Sequence, residues 1–353
     1  MTTAIKGPIS SLSFALIAAL TAATAQPAAA DPVADFYSNR TVTVAIGAGP
    51  VGGYAIYARL AIDHMARHVP GMPKFVFQSM PGGGGLKAAN YAYNAAAKDG
   101  SFLLMIVQTI AVDQAMKAKA VRYDAGKFNY LGRITDNTAL GVGWQPAGVT
   151  SVDVLRKRTV VTGGTGPSSP TDIIPKLLNR YAGTKYKLIS GYKGLGAIKL
   201  AMESGEVEAM VGSWIAFKTS FAQLVRDKKV KILVQLAPKR HRELPDVPTA
   251  AELTTSAEGR AVANFLASSA DIGRALATVP GAPKARVEAL RAAFAATIRD
   301  PLFIAETTKR SLDVNPATAG ELEAIVAETL ATPPDIAAKA AEIVRSGRKK
   351  EGK

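Results

Sequence analysis

Residues 42–60 read VTVAIGAGPVGGYAIYARL, and this stretch decides the fold. The β-branched run at 41–46 predicts a short buried strand, and the spacing of apolar residues predicts a helix over 54–68. The glycines between them let the backbone approach a ligand closely, while the first N–H groups of the helix point outward with the positive end of its dipole. The stretch therefore predicts an anion site.

The same order of strand, glycine loop and helix recurs in the next part of the chain. KFVFQS at 74–79 predicts a second strand, MPGGGG at 80–85 a loop, residues 86–97 a helix, and SFLLMIVQT at 101–109 a third strand. This alternation is typical of a parallel α/β sheet. Ligands of such sheets bind beyond the carboxyl ends of the strands, where these glycine loops fall.

A second α/β unit follows residues 137–148, which we interpret as a crossing between domains and as a hinge. Its strands are predicted at 159–164, 186–192, 207–214 and 230–237, with helices at 173–181, 197–204 and 217–227. Pro175 is tolerable only in the first turn of its helix. The C-terminal part is helical, beginning with 284–299, and is expected to pack on the first domain.

The N-terminal 30 residues have the layout of a cleavable secretory signal. Lys6 precedes an apolar core at 12–20 and a run of small residues that ends at Ala30. This core is too short to span a bilayer, which needs about 20 apolar residues. The chain contains no cysteine, which excludes a lipid anchor and disulfides. We expect cleavage after Ala30 and a periplasmic location.

Length and composition indicate two domains and an anionic partner. The mature chain exceeds what one hydrophobic core usually supports, and we predict the division 31–140 plus 263–353 for domain 1 and 141–262 for domain 2. The formal net charge is +15, which favours anions. Nucleic acid is disfavoured because aromatic residues make up only 7% and no reader motif is present.

The glycines at 47, 49 and 52 also satisfy the dinucleotide motif GxGxxG. A dinucleotide fold needs an acidic residue at the end of the second strand to hold the ribose. That strand ends in Phe77, Gln78 and Ser79, with no acid in range. A carboxylate is therefore the favoured ligand, and no cofactor is predicted.

Several segments, in the same order, resemble the periplasmic solute receptors of tripartite tricarboxylate transporters, the Bug proteins. They are GAGPVGGYAIYARL, QSMPGGGGLKAANYAYNAAAKDGSFL, TGGTGPSSP, GYKGLGAIKLAMESGEVEAMVGS, RHRELPDVPTAAEL and VPGAPKARVEALRAAFAATIRDPLF, which together cover about residues 42–303. The resemblance implies an α/β, two-domain periplasmic binding protein of the Venus-flytrap type, type II-like, with parallel-rich sheets and crossing strands.

The resemblance also implies a function without catalysis. Such a receptor closes over a small organic acid and delivers it to membrane transporter subunits, and we expect a monomer. Two alternatives stay open: a ligand-sensing receptor for a signalling protein, and a secreted α/β enzyme.

Family members hold the ligand carboxylate with backbone N–H groups and hydroxyls of the first and third loops. Carried over, this implies ligand contacts at Gly49, Gly52, Gly53, Tyr54, Thr165, Gly166, Ser168 and Ser169. Further candidates at loops and strand ends are Gly83, Thr109, Tyr192, Ser213 and Trp214. Ala55 and Ser213 stand where members commonly carry Asp, which suggests a different or more anionic ligand.

Two catalytic or metal interpretations are disfavoured. His64 and His68 have the i, i+4 spacing of metal ligands, but HExxH is not completed. GPSSP does not satisfy the GxSxG motif of a serine nucleophile. His241, within KRHR, is expected at the surface.

Overall fold

Two β-sheets with helices packed on them organise the chain. The computed structural model describes residues 1–4, 31–50, 52–166 and 169–346, so the predicted signal peptide lies almost wholly outside the described residues. The strands are β1 (Thr41–Ile46), β2 (Lys74–Ser79), β3 (Phe102–Met105), β4 (Asn129–Arg133), β5 (Ala139–Trp144), β6 (Val160–Gly164), β7 (Tyr186–Ser190), β8 (Ala209–Ser213), β9 (Val230–Leu236), β10 (Ala275–Thr278) and β11 (Ala317–Thr318).

The helices alternate with these strands in the first two thirds of the chain and dominate the last third. They are α1 (Pro32–Tyr37), α2 (Gly53–Met65), α3 (Leu86–Asn94), α4 (Ile110–Ala115), α5 (Val152–Lys157), α6 (Pro170–Tyr181), α7 (Leu195–Glu203), α8 (Trp214–Lys218), α9 (Ala222–Arg226), α10 (Ala250–Leu253), α11 (Ala257–Ala267), α12 (Ser269–Ile272), α13 (Lys284–Arg299), α14 (Pro301–Lys309), α15 (Ala319–Leu330) and α16 (Pro334–Arg345). Among the described residues, none of these helices combines the length and the apolarity needed to cross a membrane.

The first sheet has the strand order β11-β4-β10-β3-β1-β2. β1 pairs in parallel with β2 and with β3, so the carboxyl ends of these three strands share one edge. Val44 and Ile46 of β1 belong to one apolar cluster and Ala45 to another, because helices cover both faces of the sheet. The predicted glycine loops therefore lie at one edge of a buried sheet.

The second sheet has the strand order β7-β6-β8-β5-β9. β6 pairs in parallel with β7 and β8, and β5 runs antiparallel between β8 and β9. Both sheets are mixed, and each contains a group of three parallel strands, which confirms the predicted α/β fold.

Two hydrogen-bonded segments cross between the sheets. Residues 134–138 lead from β4 to β5, and residues 268–274 lead back to β10. The N–H of Arg274 donates to the Thr135 carbonyl at 2.8 Å, and the N–H of Asn137 donates to the Ala270 carbonyl at 3.0 Å. The prediction of a hinge over 137–148 is wrong for half of that range, because 139–144 form the buried strand β5 with a hydrogen-bonded neighbour on each side.

Two helix predictions are corrected by local packing. Pro175 lies in the second turn of α6, since the helix already begins at Pro170, where proline is favourable. The predicted helix over 217–227 is split into α8 and α9, because Thr219 leaves the helical region with φ −115° and ψ −86°. The helix predicted at 284–299 has the predicted bounds.

The C-terminal helices divide between the two sheets. Leu290 of α13 packs in a core cluster of the first sheet, as does Leu322 of α15. The last helix, α16, instead buries Ala340 and Ile343 with residues of α6 and α11 against the second sheet. The expectation that the whole C-terminal part packs on the first domain is therefore wrong for α16. We propose that the domains divide at the two crossings, with α16 returning to the second.

Candidate functional site

Three loops meet at the carboxyl edge of the first sheet. A Cβ at Gly47 would lie 2.6 Å from the Cα of Gly85, and a Cβ at Gly85 would lie 2.8 Å from the Cβ of Val107. Glycine at both positions is thus required for the first and second glycine loops and the loop after β3 to pack together. Gly83 lies in the exposed part of the second loop, with φ +58°.

The first loop presents an open helix N-terminus. A Cβ at Gly49 or Gly52 would meet no atom of the described residues within 4 Å, and Gly52 precedes α2 with φ +100°. The hydroxyl of Ser79 donates to the Ala48 carbonyl at 2.7 Å and ties the loop to the end of β2. Within the described part of the chain, no side chain caps α2, so the N–H groups of its first turn face the space beside these glycines.

Tyr54 and Arg274 lie behind this helix N-terminus. The N–H of Gln108 donates to the Tyr54 hydroxyl at 2.9 Å. The guanidinium of Arg274 stacks on the Tyr54 ring, with the Cζ atom 4.0 Å from the ring centroid. A Cβ at Gly53 would lie 3.2 Å from Nη2 of Arg274, so the absence of a side chain at Gly53 leaves room for the arginine. The sequence interpretation did not identify Arg274.

Thr109 precedes α4 and donates its hydroxyl to Asp113 at 2.7 Å. Burial raises the pKa of the Asp113 carboxyl to about 6, although the hydrogen bond from Thr109 opposes this shift. The hydroxyl of Thr109 is thus engaged within its own helix start in this structure.

The third loop is organised by a buried carboxylate, Asp172, which sequence reasoning missed. Asp172 is 1% exposed and accepts hydrogen bonds from the N–H of Gly166 at 3.0 Å and from the hydroxyl of Ser190 at 2.7 Å. A Cβ at Gly164 would lie 2.2 Å from its Oδ1 atom, so glycine is required there.

The predicted donors of the third loop make contacts within the loop. The N–H of Thr165 donates to Thr171 Oγ1 at 2.9 Å, and the Ser169 hydroxyl oxygen caps α6 by accepting from the N–H of Thr171 at 3.3 Å. Together with the Gly166–Asp172 bond, these contacts engage three of the four predicted positions. The fourth, Ser168, lies outside the described residues.

Two further candidates stand at the carboxyl ends of second-sheet strands. The Tyr192 hydroxyl donates to Glu206 at 2.5 Å, and burial together with Glu206 raises the pKa of this phenol to about 12. Ser213 caps α8, its oxygen accepting from the N–H of Ala216 at 3.4 Å.

A cavity lies between the two sheets, beside the first crossing. Its lining includes Trp214, the first residue of α8 and a predicted candidate, together with residues of the crossing and residues packed on the first sheet. The residues around it are Tyr57, Thr135, Asp136, Asn137, Thr138, Trp214, Ile215, His241 and Asp313. His241 is half-buried beside this cavity, and its place in KRHR gave no signal for this packing.

At this cavity, an ion pair joins the part of the protein built on the first sheet to the part built on the second sheet. Lys218 of α8 forms a close pair with Asp313, which follows α14 on the first-sheet side, and a second pair with Glu243 at 2.7 Å. Burial raises the pKa of Glu243, but the hydrogen bonds from Lys218 and Trp214 outweigh burial and hold it below its usual value.

Tyr57 connects this ion pair to α2, the helix that follows the first loop. Its hydroxyl donates to the backbone carbonyl of Asp313 at 2.9 Å. Burial raises the pKa of the Tyr57 phenol above its usual range, Asp313 adds to the rise, and the nearby Arg274 guanidinium opposes it. The residue therefore lies between an acidic and a basic group at the wall of the cavity.

The positions compared with family members differ in their surroundings. Ala55 is 2% exposed and packs in the apolar cluster of α2 and β1, so an aspartate there would be placed in a core.

His64 forms hydrogen bonds with Glu306 at 2.7 Å and Arg67 at 2.8 Å, and His68 pairs with Asp300 at 2.8 Å. Within the described ranges, no group of three or more His, Cys, Asp or Glu residues could hold a metal ion.

The two mixed sheets and the paired crossings between them give the chain the architecture of a two-domain binding protein. A family model, described as the tripartite tricarboxylate transporter family receptor (TctC), matches residues 58–341. The chain therefore belongs to this receptor family, which confirms the resemblance seen in the sequence motifs. No curated protein matches the chain by sequence.

Solved structures share the fold at low sequence identity. A TctC solute-binding protein from Polaromonas has a TM-score of 0.64 at 18% identity, covering 86% of this chain and 99% of its own. The periplasmic binding protein BugD has a TM-score of 0.63 at 19% identity, with coverages of 87% and 99%. MatC from Rhodopseudomonas palustris, with bound malate, has a TM-score of 0.61 at 22% identity, with coverages of 84% and 99%.

Proposed function

We propose that this protein is a periplasmic receptor that captures a small carboxylate between its two domains and delivers it to a tripartite tricarboxylate-type transporter. The family match over residues 58–341 carries this proposal. Two solved structures of the same fold support the ligand class, since one contains malate and another, from R. palustris, contains adipate.

The first loop supplies the chemistry that a carboxylate needs. The open N-terminus of α2 offers backbone N–H groups and the positive end of a helix of 13 residues. Hydrogen bonds to a charged acceptor contribute about 1.5 to 3 kcal/mol each, so a few of them support micromolar binding after the cost of association. We propose Gly49, Gly52, Gly53 and Tyr54 as its ligand contacts.

The third loop has a different role in this proposal. In the structure, Asp172 and Thr171 accept hydrogen bonds from its N–H groups, so a ligand competes with these side chains for the donors of Thr165 and Gly166. We propose that the loop contributes its ligand contacts on the second-sheet side, together with residues at nearby strand ends: Thr165, Gly166, Ser168, Ser169, Tyr192, Ser213 and Trp214. Gly83 and Thr109 complete the proposed set on the first-sheet side.

A thermal-shift screen tests the ligand class. The chain from residue 31 onward, refolded to remove co-purified ligand, is heated with mono-, di- and tricarboxylates, including malate and adipate, and with their amides. A receptor saturated at about 100 times its Kd gains about 2.7 kcal/mol of stability. At least one carboxylate should raise the Tm in a concentration-dependent way, and its amide should not. The absence of any shift at millimolar carboxylate would contradict the proposal.

We further propose that the receptor binds without chemical conversion, acts as a monomer and is exported by its signal sequence. Membership of a receptor family supports the first point. After long incubation with the receptor, the stabilising acid should be recovered unchanged. Light scattering should give the mass of one chain. The secreted protein should begin at Asp31. Product formation, a dimer mass or an uncleaved N-terminus would each contradict the corresponding point.

A further inference from the structure

Arg274 is a buried cation at the point where the return crossing meets the first sheet. The residue is buried and only 5% exposed to solvent. Its backbone is fixed by the crossing, because its N–H donates to the Thr135 carbonyl at 2.8 Å and its own carbonyl accepts from Ile134 at 3.0 Å. The guanidinium therefore has a defined place within the folded protein.

The contacts of this guanidinium are all neutral. Nη1 donates to the side-chain oxygen of Gln108 at a long 3.3 Å, and the plane of the group stacks on Tyr54. Nε is buried, and none of the described residues offers it a hydrogen-bond acceptor. None of the ion pairs formed among the described residues includes Arg274. The positive charge is thus buried, and no carboxylate of the described residues lies within ion-pair distance of it.

The neighbouring helix makes this arrangement less favourable still. The position a Cβ would take at Gly53, the first residue of α2, is 3.2 Å from Nη2 of Arg274. The N-terminus of a helix carries about half a positive charge, which repels a cation. A buried charge is tolerated when an opposite charge compensates it, and burial of an unpaired one is strongly unfavourable. Both positive groups would be compensated by one anion at the start of α2.

We propose that Arg274 is the specificity-determining charge of the ligand site, which makes the receptor prefer a carboxylate over the corresponding uncharged amide. The inference rests on the proposed function, because it concerns the same first-loop site. The arginine lies behind the first turn of α2, and its field acts on an anion held by the N–H groups of that turn. The low dielectric of the enclosed site keeps this interaction strong at short distance.

The proposal has a consequence for the free protein. Without its anion, the protein carries two positive groups side by side, so Arg274 lowers the stability of the ligand-free state. Arg274→Met keeps a long side chain for packing against Tyr54 and Gly53 and removes the charge. Asn137 continues to donate to Gln108 in this variant. We expect the Tm of the ligand-free variant to equal or exceed that of the parent protein.

Arg133 provides a matched control on the adjacent strand. It is 8% exposed and pairs with Ala275 across the sheet, but its guanidinium donates to the backbone carbonyls of Asp271 and Asn315. Arg133→Met removes these bonds and should lower the Tm, because buried carbonyls lose their donors. It should leave the response to anions unchanged.

The decisive experiment measures binding of adipate, adipamide, malate and malamide by calorimetry, together with any other carboxylate that stabilises the parent protein in the screen. We expect Arg274→Met to weaken carboxylate binding by at least about tenfold, since a charge-assisted contact is lost. Arg274→Lys retains the charge and should keep more of the affinity. Binding of the amides, where measurable, should change less than binding of the acids.

The outcomes separate this inference from the proposed function. If the parent protein binds a carboxylate and Arg274→Met binds it equally well, the inference is wrong and the proposed function stands. If Arg274→Met fails to fold or loses Tm as Arg133→Met does, the charge is structural and the inference is likewise wrong. If the parent protein binds no carboxylate, the proposed function fails, and this inference fails with it.

Discussion

At the residue scale, Asp113 shows how burial beside the site controls the response of stability to pH. Its pKa is raised from 3.8 to about 6 by burial. The unfolded chain therefore ionises first as the pH rises, and the contribution of Asp113 to stability is full below about pH 4 and is lost between about pH 4 and pH 6. Above pH 6 the ionised carboxylate remains a constant destabilising group.

Asp113→Asn removes this effect and retains an acceptor for the Thr109 hydroxyl. We expect the variant to be more stable than the parent protein by about 2 kcal/mol at pH 7 and equally stable near pH 4. Urea unfolding at a series of pH values measures the difference. Asp246→Asn, at an exposed loop position, controls for the loss of one negative charge. A difference that is constant across this pH range would contradict the assignment to Asp113.

Single residues also mark the limit of what the sequence could predict. The glycines of the first loop were recognisable because their spacing before a helix has a direct physical meaning. Arg274 carried a weaker signal, a lone arginine at the start of the apolar run ALATV. Arg274 lies far from Tyr54 and Gly53 in the sequence, so their contact could not be predicted. Spacing patterns describe neighbours along one element and not partners across the fold.

At the element scale, the start of α6 depends on Asp172. This carboxylate accepts bonds from the backbone of Gly166 and from Ser190, and so joins the third loop to the end of β7. The sequence indicated the loop and the helix, but an aspartate in a first helical turn is common and did not reveal a buried connector. The bounds of β1, β2 and α13 were predictable because each has a clear apolar period between polar or glycine-rich breaks.

Asp172→Ala should destabilise the protein by about 2 to 4 kcal/mol, because it leaves buried donors without an acceptor. It should also weaken ligand binding, since the third loop loses its fixed form. Denaturant unfolding and calorimetry measure the two effects. Asp153→Ala changes the first-turn aspartate of α5, whose side chain is 70% exposed, and should alter stability by less than about 0.5 kcal/mol. Equal effects of the two substitutions would contradict the role of Asp172.

At the scale of the whole molecule, the sequence indicated two α/β units but misplaced the link between them. The sequence indicated the crossing at 137–148, because an apolar run there leads into Pro146 and Gly148. In the structure, the short crossings at 134–138 and 268–274 are paired by hydrogen bonds, a relation that links segments far apart in sequence. The return of α16 to the second sheet was hidden for the same reason, because an amphipathic pattern shows that a face is buried and not which surface covers it.

The pair between Lys218 and Asp313 should favour the arrangement in which the two halves touch. Their side chains are 20% and 17% exposed, so water screens the attraction only partly. Lys218→Met should lower ligand affinity about fivefold, corresponding to about 1 kcal/mol for a partly exposed pair. It should also increase the radius of gyration of the ligand-free protein in small-angle scattering, with ligand restoring compaction. Lys199→Met removes the same charge from a pair with Glu203 inside α7 and should change neither quantity. If both variants scatter and bind like the parent protein, the ion pair does not contribute to closure.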